Sequence, residues 1–116
     1  MLGPSIDAKI YLCTGFTDMR KGLHSLALVA NSLLRDRVTS GAAFIFRGKN
    51  AKKIKILWYD PQGFCLFHKC FECGRFIWPK VGESGTVGIT RAQLSMLLEG
   101  INWGNPEWTS PPKYVA

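Results

Sequence analysis

Apolar residues in the N-terminal third of the chain recur with the period of a helix. They are spaced by four, three, four and three positions, at Met19, Leu23, Leu26, Ala30 and Leu33. Such a stripe is typical of a helix with one face in a core, and it predicts a long helix over about residues 18–34. Thr17 is a suitable N-cap for it, and Asp18 would complement the helix dipole. Gly22 is unfavourable inside a helix by about 1 kcal/mol, which indicates close packing or a frayed first turn.

The segment before this helix has the composition of a short strand. Residues 8–13 are partly β-branched or aromatic, and Thr14-Gly15-Phe16-Thr17 interrupts that pattern. We therefore predict a strand that ends near Cys13 and is followed by a turn.

Strands joined by turns are predicted over residues 43–78. The pattern indicates strands at 43–47 and 54–59, and a further strand at 75–78 that Pro79 ends. Because these strands follow each other closely in the chain, we expect an antiparallel β-meander over about residues 43–78.

The turn in this meander is predicted from Asp60-Pro61-Gln62-Gly63, which has the residues of a type I turn followed by a left-handed glycine. With Gly63 as a bulge, the register sets Lys55 opposite Lys69. The same register gives both faces of the sheet large apolar side chains. We therefore expect cover on both sides, from the helix and from a curl of the sheet or a second subunit, which leaves homo-oligomerisation open.

The C-terminal part begins with a short predicted strand at 86–89 and continues as a second helix. Thr90 and Gln93 match a capping box, and Gly100 lies where a left-handed C-cap belongs. The apolar positions between them predict a capped helix over about residues 91–99. Residues 104–116 form an irregular tail rich in Trp and Pro, and we expect Trp103 and Trp108 to be buried. The fold class predicted for residues 1–116 is a single α+β domain.

The positive charge of the chain is concentrated in its middle. The net charge is +7, and residues 35–80 alone hold ten basic and three acidic side chains, which accounts for all of it. A basic field with aromatic residues among it suits a polyanion such as DNA, although a solvated basic loop gives the same pattern. The polar loop at 48–53 and its neighbours provide the candidate nucleic-acid-binding residues. These are Arg47, Lys49, Lys52, Lys53, Lys55, Lys69 and Arg75.

Catalytic and metal sites are not indicated by the sequence. His68, Cys70 and Cys73 form an H-x-C-x-x-C motif, but a structural zinc needs four ligands and the motif has no second C-x-x-C partner. We expect these cysteines to be reduced thiols that pack as small groups. The carboxylates are scattered, so we expect a protein that is not an enzyme and has no cofactor or metal. Without an apolar span or signal sequence, we expect a cytoplasmic location and no membrane association.

Several motifs resemble one known family. They are TDMRKG (17–22), FRG (46–48), KIKILW (53–58), GRFIWP (74–79) and AQLSMLLEGI (92–101), the last followed by Trp103. Together they resemble the TnpB accessory protein of bacterial insertion sequence family sixty-six, over about residues 9–103. Cys70 and Cys73 stand where ordinary polar residues of that family are expected. The resemblance implies a small protein without assigned catalytic residues, encoded beside a separate transposase and needed for movement of the element.

Charge and resemblance together predict a non-catalytic accessory protein of DNA transposition. Its expected partners are DNA and the transposase or other proteins of the same element, with the protein binding DNA through the basic hairpin loop or bridging DNA and transposase. Two alternatives remain open. One is a protein-protein adaptor without direct DNA contact, and the other is a small metal-binding or nucleolytic enzyme.

Overall fold

The computed structural model describes residues 8–34, 42–60, 62–78 and 86–101, without the side chains of Thr14, Leu33 and Leu34. The predictions for Trp103, Trp108 and the 104–116 tail lie outside these residues. The described elements follow in chain order. They are β1 (Ile10–Phe16), α1 (Leu23–Leu34), β2 (Ala43–Arg47), β3 (Lys53–Asp60), β4 (Gly63–Cys70), β5 (Thr86–Ile89) and α2 (Arg91–Glu99). The mixed α+β class is as predicted, and no helix in the described part is long and apolar enough to span a membrane.

Within the described residues, the sheet has five strands in the order β4-β3-β2-β1-β5. β2, β3 and β4 are successive antiparallel strands, so the predicted meander is present from Ala43 to Cys70. β1 pairs parallel with β2 and antiparallel with β5. A parallel pair requires a crossover connection, and α1 lies within that connection.

Residues 71–78 are irregular, so the predicted strand at 75–78 is wrong. This segment leaves the sheet and bonds to the loop between β2 and β3 instead, through Phe71 N to Lys52 O and Phe76 N to Ala51 O, both 2.8 Å. Phe76 is 3% exposed and stacks obliquely on Phe71, with ring centroids 4.4 Å apart. The apolar pattern therefore reflects burial of this segment against the sheet and not strand pairing.

The two faces of the sheet are covered by different elements. One face packs on α1 through Leu26, Ala27 and Ala30, which contact a cluster that includes Phe44 and Leu57. The other packs on α2 and on the 71–78 segment. Its cluster contains Ile10, Leu12, Ala43, Ile45, Ile54, Ile56, Phe76, Leu94 and Leu97. Both faces of the sheet are covered, as expected. The second face is covered by α2 and residues 71–78, whereas a curl of the sheet or a second subunit was expected.

α1 begins at Leu23 and not near residue 18. Thr17 N donates to Arg47 O at 2.8 Å, which continues the pairing between β1 and β2. Asp18 Oδ1 accepts from Arg20 N at 2.9 Å and so closes a turn instead of starting a helix. The first helical bond in this region runs from Leu26 N to Gly22 O, so Gly22 lies at the helix boundary, where glycine is well tolerated.

β1 extends through Phe16, so the turn predicted at 14–17 is also wrong. The register of β1 against β2 shifts between Leu12 and Phe16. The polar and glycine residues that suggested a turn thus coincide with an irregularity within a strand, which is a common position for glycine.

The register between β3 and β4 differs by one residue from the predicted one. Asp60 lies directly opposite Gly63, because Asp60 Oδ1 accepts from both Gln62 N and Gly63 N and closes the turn without a bulge. Lys55 therefore pairs with His68, and Ile54 pairs with Lys69. Since neighbouring residues of a strand point to opposite faces, the predicted pairing of Lys55 with Lys69 does not occur.

α2 is bounded by local hydrogen bonds. Thr90 is its N-cap, with both bonds of a capping box to Gln93, and Gly100 adopts a left-handed conformation at the C-terminus with φ 70°. β5 occupies the residues expected for a short strand, Thr86–Ile89.

Candidate nucleic-acid interface

The loop between β2 and β3 carries three of the candidate lysines and is held in one shape by backbone bonds. Gly48 N donates to Lys53 O at 3.2 Å, and Asn50 Oδ1 accepts from Lys52 N at 3.1 Å. Ala51 has φ 57°, a left-handed conformation that costs a non-glycine residue about 1 kcal/mol. Lys49, Lys52 and Lys53 lie exposed on this loop or at its end.

Gly48 is needed for close packing beside the loop. A Cβ atom at this position would lie 2.8 Å from Cγ of Met19. Any larger residue would therefore displace Met19, which packs against the α1 side of the core.

The irregular 71–78 segment supports the loop from the side. The bonds from Phe71 N to Lys52 O and from Phe76 N to Ala51 O attach two points of this segment to the loop. Arg75 is exposed and directly precedes Phe76, whose N–H bonds to Ala51, so the backbone of Arg75 lies near the loop. The loop is thus held by backbone hydrogen bonds, and Arg75 lies near it.

A groove of about 530 Å³ separates the loop from the chain that follows β1. Its walls are residues 16–20 on one side and 48–50 with Lys53 on the other. Arg20 lies here, and the hydrogen bonds from its side chain and backbone to the Asp18 carboxylate, together with the charge of their 2.9 Å ion pair, lower the pKa of Asp18 to about 2. The Asp18 charge is therefore balanced locally, and Lys49 and Lys53 give the groove its net positive charge.

Arg47 contacts two aromatic rings. Its guanidinium carbon is 4.5 Å from the centroid of Phe16 and 4.9 Å from that of Trp78. Burial lowers the pKa of Arg47, but an arginine stays protonated at neutral pH. Arg47 is therefore a charged group held against two rings by cation–π contacts.

Lys55 and Lys69 are engaged in structural contacts on opposite faces of the sheet. Lys55 is 7% exposed, and its Nζ donates to Lys21 O at 2.8 Å on the α1 side. Lys69 Nζ donates to Leu98 O at the end of α2 and lies 4.8 Å from the ring centroid of Phe71. The prediction that Lys55 and Lys69 lie opposite each other as a pair of like charges is therefore wrong.

The seven candidate residues thus divide into two groups. Lys49, Lys52, Lys53 and Arg75 are exposed at one end of the sheet, whereas Arg47, Lys55 and Lys69 are partly or fully covered. Sequence reasoning missed the residues that β1 brings to the same end, which are Phe16, Arg20 and Lys21. The signal was the basic pair Arg20-Lys21 shortly after β1, and its use required knowing that β1 and β2 are parallel and end together.

The cysteines are dispersed over different environments. Cys70 and Cys73 are exposed, so the expectation that they act as packing groups is wrong. Burial raises the pKa of Cys13 to about 12, and Cys65 donates to Asp60 Oδ2 at 3.2 Å, which raises the pKa of Cys65. In the described ranges, no three His, Cys, Asp or Glu side chains are grouped closely enough to hold a metal ion.

Comparisons with known proteins identify the family. Uncharacterized protein y4hO of Sinorhizobium fredii is 43% identical over 116 residues, with both chains fully covered. Uncharacterized protein y4jC of the same organism is 35% identical over 104 residues, covering 89% of this chain and 87% of its own. No solved structure gave a significant match. The family profile described as IS66 Orf2 like protein matches residues 8–108, five residues beyond Trp103, and the chain belongs to this TnpB family of the IS66 insertion sequences.

Proposed function

We propose that this protein is a non-catalytic accessory factor of DNA transposition that binds the DNA backbone through the basic end of its sheet. We define the basic end as the exposed residues Lys21, Lys49, Lys52, Lys53 and Arg75. The observation that carries the proposal is the braced loop at 48–53, which presents three exposed lysines with Arg75 beside them. Membership of the IS66 Orf2-like family supports the link to transposition.

A fixed loop is suited to binding phosphates. Lysine side chains are flexible, but a rigid backbone limits the conformational entropy that is lost when they meet an anion. Phosphate contacts hold DNA without reading its sequence, so we expect binding with little base preference. Such a factor can hold element DNA near the transposase, which would then be its protein partner in the cytoplasm.

The direct test is charge reversal on the loop. The triple variant Lys49→Glu, Lys52→Glu, Lys53→Glu is expected to weaken DNA binding by about two orders of magnitude, because it turns three phosphate contacts into repulsions. Its thermal midpoint should barely move, because exposed charges contribute little to stability. Fluorescence anisotropy with labelled duplex DNA measures the affinity.

A control variant separates a site from a general charge effect. Lys9 and Arg91 are exposed at the opposite end of the sheet, beside the start of β1 and after β5. If only net charge mattered, Lys9→Glu, Arg91→Glu would cause about two thirds of the loss in log affinity, since it changes four charge units where the triple changes six. We expect a much smaller loss. Unchanged DNA affinity in the folded triple variant would instead favour the protein-protein adaptor.

A further inference from the structure

Phe16 differs from the other large exposed apolar residues of the described chain. Phe16, Leu28 and Phe67 are 58%, 70% and 41% exposed. Among these three, Phe16 alone lines the groove beside the basic loop. An aromatic ring exposed among cations loses hydrophobic stabilisation unless a ligand covers it.

The orientation of Phe16 is fixed from one side. The Arg47 guanidinium lies over one face of its ring at 4.5 Å, and Trp78 supports the guanidinium at 4.9 Å. Arg47 thus contacts the rings of both Trp78 and Phe16, and Phe16 is the aromatic member of this cluster that is exposed. The part of the Phe16 ring that Arg47 leaves uncovered is available for contact with a planar group bound in the groove.

Two lysines line the groove together with Phe16. These are Lys49 and Lys53, and both are exposed. Asn50 lies on the same wall of the groove. Its side-chain oxygen accepts from Lys52 N, and this bond stabilises the loop that carries Lys49. The groove volume of about 530 Å³ is within the usual range for small-ligand sites.

We infer that Phe16 is a stacking platform for an unpaired base of single-stranded DNA, with Lys49 and Lys53 contacting the adjacent phosphates. The inference rests on the proposed function and narrows its ligand from DNA in general to DNA with unpaired bases. In a duplex, the base faces are already covered by neighbouring bases and are inaccessible to a side chain. An exposed aromatic ring in a positively charged groove is the combination that binds single strands with little sequence preference.

The experiment compares single-stranded and duplex DNA on one set of variants. A labelled oligothymidylate and a labelled duplex of equal length are titrated with the full chain, with Phe16→Ala and with Phe16→Trp. We expect Phe16→Ala to weaken single-strand binding about 10-fold and to leave duplex binding within about twofold, because one base loses its stacking partner. Phe16→Trp should bind single-stranded DNA about as tightly as the wild-type protein, since it keeps an aromatic face.

The matched control is Phe67→Ala, which removes an exposed aromatic ring on β4 outside the groove and should leave both affinities unchanged. A 2-aminopurine base in the oligonucleotide reports stacking directly, and its fluorescence should be quenched on binding to the wild-type protein and less on binding to Phe16→Ala. Circular dichroism verifies that each variant is folded.

The outcomes separate the inference from the proposed function. If Phe16→Ala leaves single-strand affinity and quenching unchanged while the loop triple variant loses DNA binding, the stacking inference is overturned and the proposed function stands. An equal loss for single-stranded and duplex DNA also overturns base stacking. Failure of the wild-type protein to bind either DNA contradicts both proposals.

Discussion

Individual basic residues in this protein have different roles that their sequence context does not distinguish. Lys53 and Lys55 lie two positions apart on β3 and point to the same face, yet Lys53 is exposed and Lys55 is 7% exposed. The difference arises because the segment before α1 lies over Lys55 and offers it the carbonyl of Lys21. A charge count locates the cluster of basic residues, but burial of one member depends on a segment more than thirty positions earlier in the chain.

The thiols of the C-x-x-C motif provide a test at the residue scale. Cys70 and Cys73 are exposed, and exposed positions away from special contacts usually change stability by less than about 0.5 kcal/mol. We therefore expect Cys70→Ser, Cys73→Ser to keep the thermal midpoint of the parent protein. Thermal unfolding under reducing conditions, with and without a chelator, measures this.

Cys13→Ser is the matched control for that variant. Cys13 is 3% exposed and packs in the core on the α1 side, so a hydroxyl there is expected to lower the free energy of unfolding by about 1–3 kcal/mol. A parent protein that unfolds when a chelator is added would show instead that the exposed thiols hold a metal.

At the scale of elements, the sequence predicts structure that depends on neighbouring residues, but not the pairing of distant strands. Thr90, Gln93 and Gly100 define the ends of α2 within one stretch of sequence, and the structure has all three in capping roles. The parallel pairing of β1 with β2 depends on α1 crossing between them, which no local pattern specifies. The same limit explains the start of α1, because Thr17-Asp18 can begin a helix or form a turn, and the bond from Thr17 N to Arg47 O favours the turn.

The cap of α2 gives the test that belongs to this scale. Thr90 Oγ1 accepts from Gln93 N at 3.1 Å, and the Gln93 side chain accepts from Thr90 N at 2.9 Å. Thr90→Ala removes the first of these bonds and is expected to lower the free energy of unfolding by about 1 kcal/mol. Urea unfolding followed by circular dichroism measures the change.

Ser95→Ala is the control on the same helix. Its hydroxyl donates back to Arg91 O at 3.2 Å, a bond that does not stabilise a helix, so its loss should change stability by less than about 0.5 kcal/mol. Equal effects of the two substitutions would indicate that the capping box does not stabilise α2.

For the whole molecule, the fold gathers charge that the sequence distributes over several segments. β1 and β2 are parallel and end together, and the segment after β1 then brings Lys21 O to Nζ of Lys55, two residues after Lys53. The irregular 71–78 segment then brings Arg75 to the same end. Sequence reasoning predicted a basic loop at these residues, but its candidate set included the covered residues Arg47, Lys55 and Lys69, since it assumed one continuous meander and a shifted register.

The salt dependence of DNA binding tests whether the residues of the basic end contact phosphates together. If the five residues of the basic end, Lys21, Lys49, Lys52, Lys53 and Arg75, each meet one phosphate, the logarithm of duplex affinity should fall with the logarithm of salt concentration at a slope of about −4.5. The triple variant retains two of them and should give a slope of about −1.8. Single-stranded DNA should give about −3.5, because its lower charge density binds fewer counterions. A slope near zero for the wild-type protein, measured by anisotropy over a salt series, would contradict backbone binding at the basic end.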